Sequence, residues 1–247
     1  MSAIAVIPAR FASERFPGKP LADRTGRPLI QHVWERVRLA SSIASVLVAT
    51  DDPRIADAVR AFGGAVAMTG AEHPNGTSRI AEVAERSDCA AARIIVNVQG
   101  DEPEIDPSQI DRVVALLDER PECPMSTLAA PLMSPSDLDD PNVVKVVLRL
   151  DGCALYFSRA AIPHRRAGAD APTPLRHVGL YAYRREFLPA YVAMAPTPLE
   201  AAERLEQLRA LEHGHSIAVG MVDAAAHGID TPEQYEEFVR RWSQSRT

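Results

Sequence analysis

Apolar positions in the first half of the chain follow two alternating patterns. Continuous apolar runs occur at Ala3–Ile7, Ser45–Thr50 and within Arg93–Gly100. Strands buried on both faces read this way. Between them, "PLIQHVWERVRL" sets Leu29, Val33 and Val37 on one helical stripe, with Ile30 and Trp34 beside it. Asp52-Pro53 reads as an N-cap followed by proline at the first helical position, opening a helix to Phe62. Gly63-Gly64 ends it, and Ala65–Met68 is a short strand. "SRIAEVAERS" predicts a further helix, and Asp106-Pro107 opens another with Gln109 at the capping-box position. Strands alternating with helices at this spacing predict an α/β fold: a Rossmann-like, mostly parallel sheet with helices on both faces. Right-handed crossovers then gather the loops after the strands on one edge, where ligands bind.

The middle of the chain has another rhythm. "MSTLAAPL", "NVVKVVLRL", "CALYFSR" and "HVGLYAYR" are strand-like, with connections rich in Pro, Asp and Gly. The expectation is an inserted antiparallel arm over roughly residues 121–184. Such an arm often meets a copy of itself, so a homodimer is expected. Beyond it, "TPLEAAERLEQLRALEHG" reads as a helix with Thr197, Pro198 and Glu200 at cap, first and third positions. A strand at Ser216–Val222 and a last helix capped by Thr231-Pro232 follow. One domain spanning residues 1–247, carrying the arm, is the simplest organisation.

Composition narrows the choice of partner. The 247 residues carry a formal charge of −6, which disfavours wrapping nucleic acid but leaves room for a local basic pocket. Cys89, Cys123 and Cys153 are odd in number and show no metal-ligand spacing, so they read as reduced thiols. The first residues lack the features of a secretory leader, and no apolar run approaches the ~20 residues of a membrane helix. A cytoplasmic protein without membrane segments is expected.

Two loops carry the chemistry. The first strand stops at Pro8 and empties into a segment holding Arg10, Arg15 and Gly18-Lys19. It is not a P-loop, because Pro20 follows the lysine and the first glycine is missing; nor is it a dinucleotide fingerprint. Phosphates would therefore be held by side chains, with Arg10 and Arg15 forking onto oxygens and Lys19 acting as a mobile charge, helped by amides around Ala12 and Ser13. The second loop, Gln99-Gly100-Asp101-Glu102-Pro103, follows a buried strand. A carboxylate there, on the edge that also carries the basic loop, is placed to hold Mg²⁺.

"IPARFASERFPGKPL" resembles the signature of sugar-activating nucleotidyltransferases. "VNVQGDEP", "NVVKVV", "ALYFSRAAIP", "RHVGLYAYR", "LEQLRAL" and "GIDTPEQ" extend the resemblance, in order, to the 3-deoxy-manno-octulosonate cytidylyltransferase family. The resemblance implies a nucleotide-diphospho-sugar transferase-like fold. It implies condensation of CTP with 3-deoxy-D-manno-octulosonate (Kdo) into CMP-Kdo and pyrophosphate, for lipopolysaccharide biosynthesis. Acceptors of the same class are 8-amino-8-deoxy Kdo and sialic acid; a nucleotide-binding regulatory protein would bind CTP without turnover. By resemblance, Arg10, Ser13 and Lys19 meet the CTP phosphates with Arg15 nearby in the CTP site, and Gly76 and Arg79 lie by the base. Gln99 bridges the substrates, and Asp101 and Asp230 hold Mg²⁺. Arg166, His177 and Gln207 face the sugar acid. Ser78 and Arg165 stand where the family commonly carries acidic residues.

Overall fold

The computed structural model describes residues 2–12, 15–132, 134–168, 170, 172–224 and 228–244. The chain forms two compact units, Met1–Asp111 with Ala226–Thr247, and Arg112–Ala225. The boundary falls inside a helix.

In the first unit, strands β1 (Ala3–Pro8), β2 (Ile43–Thr50), β3 (Ala65–Met68) and β4 (Ile94–Asn97) are all parallel, in the order β3-β2-β1-β4. Strand β1 is the centre of this sheet: Ile4 lies opposite Ser45 on one side and Ile95 on the other. Ala3, Ala5, Val6 and Ile7 are accordingly shut off from solvent, as the continuous apolar run requires. Helices α1 (Leu29–Val37), α2 (Pro53–Ala61), α3 (Gly76–Ala84) and α4 (Pro107–Glu119) occupy the predicted stretches. The Asp52 carboxylate caps α2 by accepting from the Arg54 amide at 2.9 Å. A satellite core joins Leu29 of α1 to Ile229, Tyr235 and Phe238, with Phe16 and Trp242 packed against it. Each such buried side chain contributes about 2 kcal/mol. This cluster fixes the C-terminal helix, Pro232–Gln244, to α1 and to the basic loop.

In the second unit, β5 (Met125–Pro131) runs antiparallel to β8 (Leu175–Arg184) and parallel to β9 (Ile217–Met221). Strands β6 (Lys145–Leu148) and β7 (Ala154–Ser158) form an antiparallel pair, and β6 also pairs with β8. Phe157, Tyr183, Leu188 and Leu208 are buried. Short helices α5 (Pro135–Asp139), α6 (Phe187–Ala193), α7 (Pro198–Glu203) and α8 (Gln207–Glu212) complete the unit.

One expected helix is broken in two. "TPLEAAERLEQLRALEHG" forms α7 and α8, separated by Arg204 in a left-handed conformation at φ 52°. The cause is competition for a carbonyl. Continuation would give the Glu203 carbonyl to the Gln207 amide; instead Arg159 Nε donates to it at 2.8 Å. The Glu203 carboxylate also accepts from the Arg159 amide at 2.9 Å and from Ser158 Oγ at 2.5 Å. Strand β7 thus captures the end of α7.

The three cysteines are buried and free. Far apart in sequence, Cys123 and Cys153 nevertheless meet, with Sγ atoms 3.7 Å apart. Burial pushes the Cys123 thiol up to about 12, which keeps it protonated.

Candidate active site

The basic loop is closed at its neck. The Gly18 amide donates to the Phe11 carbonyl at 2.9 Å. Gly18 sits at φ +71°, and a Cβ there would come within 3.2 Å of the Phe11 ring; glycine is the residue that tolerates both conditions. The Phe11 ring also carries the Arg54 guanidinium, 3.4 Å from its centroid. Lys19 then starts a short 3₁₀ turn, Lys19–Leu21. Ser13 lies outside the described residues.

The turn after β4 approaches β1 closely. A Cβ on Gly100 would lie 2.9 Å from the Pro8 carbonyl oxygen, so only glycine lets the two strand ends meet. The result is a cleft of about 290 Å³ lined by Arg10, Ala12, Lys19, Gly76, Gln99 and Asp101, among others. A second hollow of about 280 Å³ is lined by Arg10, Phe11, Asp51, Arg54 and Arg79. Gly76 opens α3 against Pro8, where a Cβ would sit 3.2 Å from the proline ring. Arg79 is 1% exposed and paired to Asp51 at 2.9 Å, with a further bond to Thr69 Oγ1. Its Nε is buried without a partner among the described residues.

Lys19, Asp101 and Asp230 converge. The Lys19 ammonium donates to Asp101 Oδ2 at 2.7 Å, to the Ile229 carbonyl at 2.7 Å and to Asp230 Oδ1 at 3.4 Å. Arg15 reaches the other oxygen of Asp230 at 3.0 Å. Asp230 precedes a helix, so its carboxylate is a natural capping candidate. The structure gives that task to others: Gln234 Oε1 accepts from the Asp230 amide at 2.7 Å, and the Gln234 amide donates to Thr231 Oγ1 at 3.4 Å. The Asp230 side chain is thereby left to meet Lys19 and Arg15. Backbone pairing holds the two acidic segments together, with the Ile229 amide donating to the Asp101 carbonyl at 2.8 Å.

Glu102 is the residue that the pattern did not single out. Burial and the neighbouring Asp101 charge push its carboxyl up to about 8. Glu102 is therefore mostly protonated at neutral pH. Adjacent carboxylates at a strand end were the available signal.

The residues expected to face a sugar acid lie in the second unit. Arg166 is exposed between β7 and β8. Gln207 opens α8 and is 6% exposed. His177, in β8, sits 2.9 Å from Thr127 Oγ1, and its ring meets Phe157 edge-on at 5.0 Å. The Thr127 hydroxyl is also within reach of the Val178 and Leu180 carbonyls, at 3.0 and 2.9 Å. Burial, then the Arg176 charge, lowers the imidazole to about 3, so the ring is neutral. Tyr181 and Tyr183 are buried and stack at 5.9 Å, which makes them packing residues.

No helix among the described residues is long and apolar enough to cross a membrane. The cytidylyltransferase family model matches residues 4–217. The 3-deoxy-manno-octulosonate cytidylyltransferase of Syntrophotalea carbinolica is 54% identical over 94% of this chain and 95% of its own length. That of Geobacter sulfurreducens is 50% identical over 98% and 99%. The solved structure of CMP:2-keto-3-deoxy-manno-octonic acid synthetase complexed with CTP superposes with a TM-score of 0.93 at 42% identity, covering 99% of this chain and all of that one. A cytidylyltransferase from Leptospira borgpetersenii shares the fold at 17% identity, with a TM-score of 0.63. With its parallel sheet, its basic loop and its paired aspartates, this chain belongs to the cytidylyltransferases, among the 3-deoxy-manno-octulosonate enzymes.

Proposed function

We propose that the chain couples CTP to Kdo, releasing pyrophosphate and giving CMP-Kdo for lipopolysaccharide biosynthesis in the cytoplasm. The observation that carries this reading is the meeting of Lys19, Asp101 and Asp230 beside the cleft lined by Arg10, Gly76 and Gln99. The anomeric 2-hydroxyl of the sugar acid attacks the α-phosphorus of CTP. A new P–O bond forms to the sugar, the bond to the β-phosphate oxygen breaks, and the hydroxyl proton passes to solvent. Such a step asks the protein for alignment and charge neutralisation.

Arg10 and Arg15, with Ser13 and Lys19, hold the triphosphate. Gly76 lets the base approach the backbone, Arg79 flanks it, and Gln99 bridges base side and sugar side. Arg166 meets the sugar carboxylate, while neutral His177 and Gln207 hydrogen-bond its hydroxyls. The second unit supplies the surface for a homodimer.

The donor set suits Mg²⁺. Two carboxylates and a carbonyl, all hard oxygens, already surround a cation, the Lys19 ammonium. Asp101 and Asp230 would hold the ion, which when bound supplies positive charge to the α-phosphate and lowers the pKa of the attacking hydroxyl.

The test is a panel of Kdo, 8-amino-8-deoxy Kdo and sialic acid with CTP, followed by pyrophosphate release with and without Mg²⁺. Kdo should be the preferred acceptor, and EDTA should stop the reaction. Asp101→Asn should fold normally and lose about 10³-fold in kcat. Near-normal turnover by that variant would defeat the assignment. CTP binding without turnover of any acid would make the protein a nucleotide sensor.

A further inference from the structure

Lys19 does not sit as a free cation awaiting phosphate. Its three N–H donors are met by three oxygens, from Asp101, Ile229 and Asp230. The side chain is only 12% exposed, against 27% for Asp101 and 42% for Asp230. The outer oxygen of Asp230 is engaged as well, by Arg15. A divalent ion seeking both carboxylates therefore meets an occupied position, and a second positive charge there would face the ammonium at contact distance. The lysine backbone is pinned by the turn at Gly18, but its four-carbon stem is free to rotate. Lys19 also lines the adjoining cleft, so an anion placed there lies within the reach of the same side chain.

We propose that Lys19 is the resident counter-ion of the aspartate pair and excludes divalent metal until a triphosphate draws the ammonium away. Nucleotide and metal then enter as a coupled pair, and the nucleotide-free protein is protected from loading metal alone. The inference rests on the reading of Asp101 and Asp230 as the metal carboxylates. It adds that one lysine serves two anionic partners in turn, carboxylates first and phosphates afterwards. Differential affinity of the phosphate for the released lysine is what drives the exchange.

The experiment uses the full-length, metal-stripped chain and Mn²⁺ as probe. Binding is measured by electron paramagnetic resonance of the free ion and by water-proton relaxation enhancement, which separates protein-bound ion from Mn²⁺–CTP in solution. Without nucleotide, Lys19→Met should bind Mn²⁺ at least tenfold more tightly than the wild type, and Lys19→Met with Asp101→Asn should lose the gain. Lys19→Gln provides a second neutral variant should the first fail to fold. The wild type gives a reading that needs no variant: CTP without acceptor should raise its Mn²⁺ affinity at least tenfold. Equal Mn²⁺ affinity in the wild type and the lysine variants, or no effect of CTP on the wild type, overturns the proposal. If Asp101→Asn leaves the Mn²⁺–CTP complex unchanged, it is the metal assignment itself that fails. If Asp101→Asn abolishes that complex while the lysine variants match the wild type, the metal assignment stands and only the lysine's part falls.

Discussion

Two lysines, one in each unit, are held by oxygen atoms, and the kinds of oxygen differ. Lys145 in β6 is fully buried and donates to the main-chain carbonyls of Asp140 and Arg159, at 2.9 and 2.6 Å. Lys19 donates to two carboxylates and one carbonyl at the edge of a cleft. A carbonyl cannot leave its backbone, so Lys145 is a permanent tie; burial lowers its pKa, against the opposing charges of Asp140, Asp139 and Glu203. A carboxylate can take another cation, so the Lys19 contacts are exchangeable. The same residue type is a structural tie in one unit and, in the proposed reaction, a chemical participant in the other. The partner atoms decide which.

The sharpest way to break this contrast is to neutralise each lysine in turn. Lys19→Met should lower turnover by about 10²-fold or more, while shifting unfolding free energy by no more than about 1 kcal/mol, because its partners can reach water. Lys145→Met should do the reverse. Losing two hydrogen bonds from a charged donor costs about 2 kcal/mol or more, with kcat of the folded fraction near wild type. Urea unfolding and steady-state kinetics on both variants check the pair, and similar profiles would erase the distinction.

A second test asks whether the buried polar groups of the second unit are as fixed as Lys145 suggests. His177 is held neutral, lowered to about 3 from an unfolded value of 6.5. Its contribution to stability is complete above pH 6.5 and is lost as pH falls toward 3, with a limiting slope of about 1.4 kcal/mol per pH unit. Unfolding curves at pH 7 and pH 5 should show the wild type losing roughly 1–2 kcal/mol more than His177→Gln. Parallel losses would mean that the ring takes up its proton freely. The smallest effect is expected at Arg204, whose positive φ follows from Arg159 holding the end of α7. Arg204→Gly should stabilise by about 0.5 kcal/mol in the same assay. Destabilisation would show that the guanidinium contributes more than its backbone strain costs.

Much of the first unit was legible because its signals are local. Continuous apolar runs gave β1, β2 and β4, and Asp52-Pro53 gave the start of α2 through a cap that the structure contains. The basic loop and the acidic turn were legible as loops after buried strands. The meeting of Asp230 with Lys19 was not legible from either segment alone. It depends on Thr231 and Gln234 taking over the cap, and on a core shared by Phe16, Leu29 and Ile229. The break between α7 and α8 was hidden for a similar reason. Local pattern favours one helix there, and a distant arginine wins its carbonyl. The neutral state of Glu102 likewise came from burial, which a short motif does not display.

The wide separation of the two halves of the cation seat has a consequence during synthesis. Lys19 and Asp230 are 211 positions apart, and the helix that steadies Asp230 follows it in the chain. At about 5–20 residues per second, translation leaves an interval on the order of ten to forty seconds in which the basic loop exists without its second aspartate. A nascent chain in that interval has the basic loop but no complete seat for its ammonium. The three-oxygen seat of the Lys19 ammonium is therefore assembled only after residue 230 has been made.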